Sequence, residues 1–147
     1  MSLISESVSS VLEATQLISA QNIFANYIPN KVSVATAVYD VTAQGGAVDT
    51  TYYIPMTLPV PSGAVVLKAF TDTQITLVGA GANVALGLNV PEDLLPPVSV
   101  GSNWNAGDVA LIQNNILSSA NHFGLQVTIT GASLTAGRTT VKIIFAV

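Results

Sequence analysis

The chain has 147 residues, the usual size of one domain, and it contains no cysteine. Disulfide scaffolds, thiolate zinc sites, iron–sulfur clusters and cysteine nucleophiles are therefore excluded. Charged residues make up 8% of the chain, against about 25% in a typical soluble protein, and the net charge of −4 argues against a nucleic-acid binder. The mean hydropathy of +0.58 predicts a folded chain rather than a disordered one. Because so few residues are charged, we expect the protein to cover much of its surface with neighbouring molecules.

The high hydropathy does not predict a membrane span. Residues 73–91 and 109–137 are uncharged and long enough to cross a bilayer, but amide side chains interrupt both stretches. The N-terminus carries Glu6 and Glu13 where a signal peptide has basic residues and an apolar block. We therefore expect neither a transmembrane helix nor a signal peptide.

The first 25 residues have their own pattern, with apolar side chains at three- and four-residue spacing. This spacing predicts a short amphipathic helix or arm, within an N-terminal segment of residues 1–30 that closes around Pro29. The segment either docks on a partner or folds back on its own domain, and the sequence leaves both alternatives open. The residues of the possible interface arm are Ile4, Val8, Val11, Leu12 and Ile18.

From residue 31 onward the apolar period changes to 2, which predicts an all-β domain over residues 31–147. Its seven or eight short strands, with turn signals every 8–12 residues, indicate a single antiparallel β-sandwich of jelly-roll-like type. Val32, Val34 and Val38 alternate with smaller residues in the first strand. Pro55 marks the second strand as an edge strand or a bulge.

The next segments are predicted in chain order. The apolar run 64–71 indicates a strand buried on both faces, and residues 74–78 and 83–88 indicate a hairpin around a Gly-Ala-Gly turn. Residues 91–107 are predicted to form a long loop. After Asp108 the pattern fits a short helix, with a strand as the alternative.

The two final strands have the clearest pattern. Apolar side chains alternate strictly with polar ones from Leu125 to Thr130, and again from Val141 to Phe145. A turn that ends at Gly137 separates the two segments.

No catalytic constellation is evident in the sequence, so we expect neither an enzyme nor a bound metal or cofactor. The single histidine, His122, has no partner at a metal-ligand spacing, and the acids are spread over the predicted turns. Gly79-Ala80-Gly81 lacks the Gly-Lys-Ser/Thr of a phosphate loop.

The predicted loop carries one possible contact site, Asn103-Trp104-Asn105. Tryptophan offers an apolar face for a sugar ring, and the flanking amides can bond its hydroxyls. The same residues suit an anchor in a protein–protein interface. A third alternative is that Trp104 belongs to the core.

Four local motifs resemble those of small virion-associated β-sandwich proteins of tailed bacteriophages and large DNA viruses. The resemblance lies in residues 34–88 and 125–147, which make up a little over half of the chain. The motifs are turns that lead into apolar strands. In chain order, the motifs are Ala37–Asp40 followed by Gly45-Gly46, Leu58-Pro59 through Val66, Val84–Leu88, and Leu134–Gly137.

The resemblance implies a structural protein of the virion, of the minor capsid, cement or decoration type, and it carries over no catalytic residue. We expect such a protein to self-associate, as a trimer or pentamer, and to pack against other capsid proteins. The alternative function is a glycan- or receptor-binding module at a vertex or fibre tip, acting through Trp104 with Asn103 and Asn105.

Overall fold

The computed structural model describes residues 32–112 and 115–147, which form eight β-strands and one helical turn. The predicted N-terminal helix or arm lies outside the described residues. The strands and the turn are β1 Val32–Asp40, α1 Val41–Gln44, β2 Thr50–Val60, β3 Val65–Val78, β4 Asn83–Gly87, β5 Leu95–Ser99, β6 Val109–Ile112, β7 His122–Thr130 and β8 Ala136–Ala146.

The strands form two antiparallel four-stranded sheets. The first sheet has the order β1-β8-β3-β6 and the second has the order β2-β7-β4-β5. Successive strands mostly alternate between the sheets, and the first described strand lies beside the last. This is the strand order of an eight-stranded jelly roll, which confirms the predicted fold class.

The core forms between the two sheets, where the inward side chains of every second residue meet. Leu125, Val127 and Ile129 of β7 are buried, and so are Val141 and Ile143 of β8. The apolar positions predicted for the inward faces of these two strands are confirmed. The alternation in β7 is not strict, because Gln126 is also buried, where its Nε2 donates to the Leu88 carbonyl at 3.0 Å.

Strand β2 is both an edge strand and irregular, as Pro55 predicts. It pairs with β7 from Thr50 opposite Ile129 to Pro55 opposite Gly124, and then the register shifts before Val60 pairs with His122. Proline cannot donate to a central ladder, so the edge position accommodates it.

Strand β1 turns its alanines inward and its valines outward. Ala35, Ala37 and Tyr39 are buried, whereas Val34 is exposed and Val32 is 60% exposed. The Tyr39 hydroxyl crosses the end of the sandwich and donates a 2.6 Å hydrogen bond to the Gly45 carbonyl.

Strand β3 is a single strand of 14 residues, and it is not buried on both faces as residues 64–71 suggested. Val66 and Ala69 are buried, but Val65 and Leu67 are exposed. No second layer covers the outer face of the first sheet among the described residues, so a continuous apolar run here does not mean two buried faces.

The predicted hairpin between residues 74–78 and 83–88 is wrong. Strand β3 lies in the first sheet, whereas β4 pairs with β7 and β5 in the second sheet. The glycine-rich turn, closed by a bond from the Ala82 N–H to the Gly79 carbonyl, therefore carries the chain from one sheet to the other.

The segment predicted as a loop over residues 91–107 contains strand β5, and the helix predicted after Asp108 is strand β6. β5 includes Pro96 and Pro97 and lies at an edge, where proline is tolerated. β6 pairs with β3, with Ala69 opposite Ile112. Tertiary pairing therefore favours the strand alternative over the local helical pattern.

Candidate assembly surfaces

The polar side chains around His122 fasten two loops together. The His122 Nε2 and the Ser119 hydroxyl both lie within hydrogen-bond distance of the Asn89 Oδ1, at 2.9 and 3.0 Å. The Asn89 Nδ2 donates to the Leu117 carbonyl at 2.9 Å. Because Ser119 and His122 both bond to an amide oxygen, this arrangement does not form a nucleophile–base pair.

The acidic side chains organise turns, as the sequence predicts. Asp93 accepts from the backbone N–H groups of Leu88, Asn89 and Val90, and Asp108 accepts from the N–H of Asn105. Within the described ranges, no group of three or more histidine or acidic side chains comes close enough to hold a metal ion. Nor does this part of the chain contain a helix long and apolar enough to cross a membrane.

Trp104 lies in the core. Its side chain has no solvent exposure, and its Nε1 donates to the Val98 carbonyl of β5 at 3.3 Å. Its own carbonyl accepts a 2.9 Å bond from the Leu77 N–H of β3. The indole face is thus covered by protein and is not available to stack on a sugar, which agrees with the core alternative.

Asn103 and Asn105 are exposed on either side of the buried tryptophan. The Asn105 Nδ2 donates to the Gly101 carbonyl at 3.3 Å, so this amide stabilises its own loop. The two asparagines remain candidates for a loop contact. The five predicted arm residues, Ile4, Val8, Val11, Leu12 and Ile18, lie outside the described residues.

The outer face of the first sheet exposes several large apolar side chains. Val32, Val34 and Val38 project from β1, and Val109 and Leu111 project from β6. An apolar surface of this kind is typical of a protein interface. The sequence did not identify it, because the valines of β1 were as compatible with the core as its alanines.

The cations of the described residues also belong to this sheet. Lys68 lies on β3, Arg138 and Lys142 lie on β8, and the Lys142 Nζ is 5.9 Å from the centre of the Phe70 ring. The fourth cation of the chain, Lys31, is not among the described residues. The first sheet therefore combines exposed apolar side chains with the three described cations, and it also carries Asp40 and Asp72.

A pocket of about 270 Å³ opens where β3 meets β6. Lys68 contributes its positive charge to this pocket, beside aliphatic side chains of both strands. The lining residues are Leu67, Lys68, Leu111, Ile112 and Asn115.

Comparisons with known proteins give matches at the level of the fold. No family model matches the chain, and no curated protein matches it. A chain of the acidic stable capsid structure of Helicobacter pylori bacteriophage KHP30 aligns over 79% of this chain and 87% of its own length, with a TM-score of 0.56 and 12% identity. A chain of the cyanophage Pam1 capsid asymmetric unit aligns over 80% of this chain and 85% of its own, with a TM-score of 0.59 and 12% identity. The protein thus has the fold of chains found in two bacteriophage capsid structures.

Proposed function

We propose that this protein is a structural component of a virus capsid, located in the virion and without enzymatic activity. The observation that carries the proposal is the eight-stranded jelly roll, which aligns with chains of two phage capsids over most of both lengths. The resemblance of the strand-and-turn motifs to virion-associated β proteins supports the same function independently.

Within the capsid, we assign the chain to the minor capsid, cement or decoration type, as a homo-oligomer that also contacts other capsid proteins. The exposed apolar side chains of the first sheet support this role, because surfaces of this kind become favourable when a neighbour covers them. The scarcity of charge supports it as well, since few ions must lose their hydration in such a contact.

The copy number of this protein in purified particles tests the proposal, and quantitative mass spectrometry measures it. We expect many copies per particle, in a fixed ratio to the major shell protein. Absence from purified particles would contradict the virion assignment. A handful of copies would contradict the lattice-wide role and favour a vertex or fibre position.

The alternative function, a glycan- or receptor-binding module, lacks its main support. Its aromatic platform was Trp104, whose side chain is buried. Asn103 and Asn105 provide amides for hydrogen bonding but no stacking surface. We therefore retain the structural role as the single proposal.

A further inference from the structure

The pocket between β3 and β6 presents a positive charge on the outer side of the first sheet. Leu111 lines the pocket and lies opposite Phe70, whereas the next pair of the ladder, Ala69 and Ile112, is buried. Phe70 and Leu111 therefore face outward, and so does Lys68, two residues before Phe70. Lys68 is exposed and forms no ion pair with any other described residue. The pocket thus offers an unpaired cation beside aliphatic side chains.

The turn between β4 and β5 lies on the outer side of the second sheet. Leu86 is buried in the core, so the next residue of β4, Gly87, faces outward. A Cβ atom on Gly87 would collide with the Val90 carbonyl and would lie 2.8 Å from the Glu92 backbone nitrogen. Residues 90–92 therefore lie over the outer face of β4, and the Val90 and Glu92 side chains are exposed there.

Glu92 has a backbone conformation that is unusual for a glutamate. Its φ is +76°, in the left-handed region that glycine, asparagine and aspartate adopt more readily. Its carboxylate makes no hydrogen bond or ion pair within the part of the chain that the structure describes. Val90, two residues earlier, is 57% exposed. The turn thus presents a free acid next to an apolar side chain, which complements the pocket.

The turn and the pocket lie at the same end of the sandwich. Val65, at the start of β3, forms an isolated bridge with Leu117. The Asn89 Nδ2 donates to the Leu117 carbonyl at 2.9 Å. Lys68 follows Val65 by three residues, and Glu92 follows Asn89 by three. The two charges therefore lie at one end but on opposite outer faces, and the sandwich separates them within one copy.

The other acids of the described residues are less suited to this pocket. Asp72 lies in β3, on the sheet that forms the pocket. Asp49 precedes β2, at the end opposite to Val60, which pairs with His122 beside Asn89. The remaining acids accept hydrogen bonds from backbone N–H groups, and they are Asp40, Asp93 and Asp108. Among the described acids, Glu92 therefore combines a free carboxylate with a position at the pocket's end of the sandwich.

We propose that Glu92 of one copy enters the pocket of the next copy and pairs with Lys68, while Val90 packs against the aliphatic lining. This inference rests on the self-association in the proposed function and names its surfaces. Every copy then supplies an acidic turn from its second sheet and a cationic pocket from its first sheet. A contact between two different surfaces is heterologous, and it forms a ring when the rotation closes.

The placement of the two surfaces favours identical copies arranged in a closed ring. Because the turn and the pocket lie at the same end and face opposite ways, a rotation about one axis brings them together with little translation along that axis. Such a rotation closes a ring, whereas a large translation produces a filament. The contact therefore agrees with the trimer or pentamer expected of this protein. Both halves of the contact, with their opposite charges, are present in the chain itself.

Exchange of the two charges tests the pairing directly. Lys68→Glu and Glu92→Lys each bring like charges together, so we expect either variant to weaken the oligomer about tenfold in sedimentation equilibrium. The double variant restores opposite charges, and it should recover the wild-type association constant to within about threefold. A double variant that is as weak as the single variants, or weaker, would overturn the pairing.

The matched controls carry the same changes of charge elsewhere. Arg138→Glu alters the same sheet next to Gly137, which lies against Leu77 at the far end of β3 from Lys68. Asp49→Lys alters the opposite end of the sandwich from Glu92. Both controls should leave the oligomer unchanged. Losses as large as those of Lys68→Glu and Glu92→Lys would reveal a general effect of net charge and contradict the specific pair.

The absence of cysteine permits a second test that keeps both charges. Val90→Cys and Leu111→Cys place one thiol on the turn and one in the pocket, where a disulfide can join them between copies in contact. After mild oxidation, we expect the double variant to give a ladder on non-reducing gels that ends at the closed ring. Neither single variant should cross-link with itself, because the contact is heterologous.

The control for this ladder combines Val90→Cys with Val34→Cys, at an exposed position of β1 on the same sheet. An equal ladder from the control pair, or a cross-linked dimer of either single variant, would overturn the proposal. A wild-type chain that remains monomeric at all concentrations would also contradict it.

These results separate the inference from the proposed function. Particles that contain the protein, together with a charge exchange that restores nothing, overturn the contact between Glu92 and Lys68 and leave the capsid role. Restored assembly of a protein that is absent from the particles overturns the capsid role and leaves the contact.

Discussion

At the scale of single residues, Trp104 connects the two sheets. Its Nε1 bonds to β5 of the second sheet, and its carbonyl accepts from β3 of the first. The sequence alone could not decide between burial and a surface role, because tryptophan among prolines and asparagines fits both. The burial of Trp104 depends on Val98 of β5 and Leu77 of β3, whose backbone groups bond to its indole and to its carbonyl.

Replacing Trp104 by alanine should therefore lower the free energy of unfolding by about 3–5 kcal/mol, through loss of a large buried side chain. Urea unfolding followed by circular dichroism measures this change. Asn103→Ala, at the exposed neighbouring position, is the control and should stay within about 0.5 kcal/mol of the wild type. A Trp104→Ala protein of wild-type stability would show that the indole does not belong to the core.

Tyr39 gives the fold a dependence on alkaline pH. Burial raises the pKa of this phenol above its ordinary value, and the nearby Tyr52 adds to the effect. The pKa of Tyr39 is higher in the folded chain than in the unfolded chain. Its contribution to the free energy of unfolding is therefore fully present below about pH 10, and it falls by about 1.4 kcal/mol per pH unit as the pH rises further. Urea unfolding between pH 8 and pH 11 measures the slope.

Tyr39→Phe should remove this slope. It should also cost about 1–3 kcal/mol at neutral pH, because the Gly45 carbonyl loses its donor. Tyr53→Phe is the matched control, since the Tyr53 side chain is 69% exposed. A Tyr39→Phe variant that retains the wild-type slope would assign the alkaline transition to another group.

At the scale of elements, strands with one face on the core could be predicted from their alternation, but their partners could not. The pattern from Leu125 to Thr130 identified β7, because each inward side chain is apolar. The turn at Gly79 was predicted to be a hairpin because turn residues indicate that the chain changes direction. They do not indicate whether the two flanking strands pair with each other. Whether the next strand joins the same sheet depends on contacts with β7, which is far away in sequence.

Proline and small residues explain the other differences. Pro96 and Pro97 concealed β5, since an edge strand tolerates proline whereas a typical strand pattern lacks it. In β1, the valines were as suitable for the core as the alanines. The inward face of β1 carries the large Tyr39 ring together with two small side chains, Ala35 and Ala37.

The turn into β8 gives a prediction at this scale. Gly137 has a φ of +132°, and a Cβ atom there would lie 2.6 Å from the Leu77 Cα, in the neighbouring strand β3. Backbone cannot move aside as a flexible side chain can, so Gly137→Ala should destabilise the fold by about 2–5 kcal/mol. Gly63→Ala is the control, because Gly63 also has a positive φ but has no atoms near the added methyl group.

The control should cost about 1 kcal/mol, from backbone strain alone. Urea midpoints of the two variants give the comparison. Equal losses would mean that the close approach of β3 and β8 contributes nothing at this turn.

At the scale of the whole molecule, we predict that the arm expected over residues 1–30 can be deleted without unfolding the β-sandwich. We expect removal of residues 2–26 to leave the urea midpoint within error of the full chain, because all eight described strands lie between Val32 and Ala146. Incorporation into particles, measured by mass spectrometry of the purified virion, should fall strongly.

Point variants test the predicted apolar stripe without shortening the chain. Val8→Asp and Leu12→Asp lie on the predicted apolar stripe and should reduce incorporation, whereas Ser9→Asp lies between them and should not. If the deletion variant unfolds, the segment belongs to the core rather than to a contact with a partner.

The adjacency of β1 and β8 also determines when the molecule can be completed during synthesis. The first described strand cannot take its place until the last has left the ribosome, so the growing chain carries an unfinished first sheet for most of its translation. Pairings this remote in sequence are slow to form, and the incomplete sheet is exposed to other chains meanwhile. We therefore expect the first sheet to form only after β8 has been synthesised.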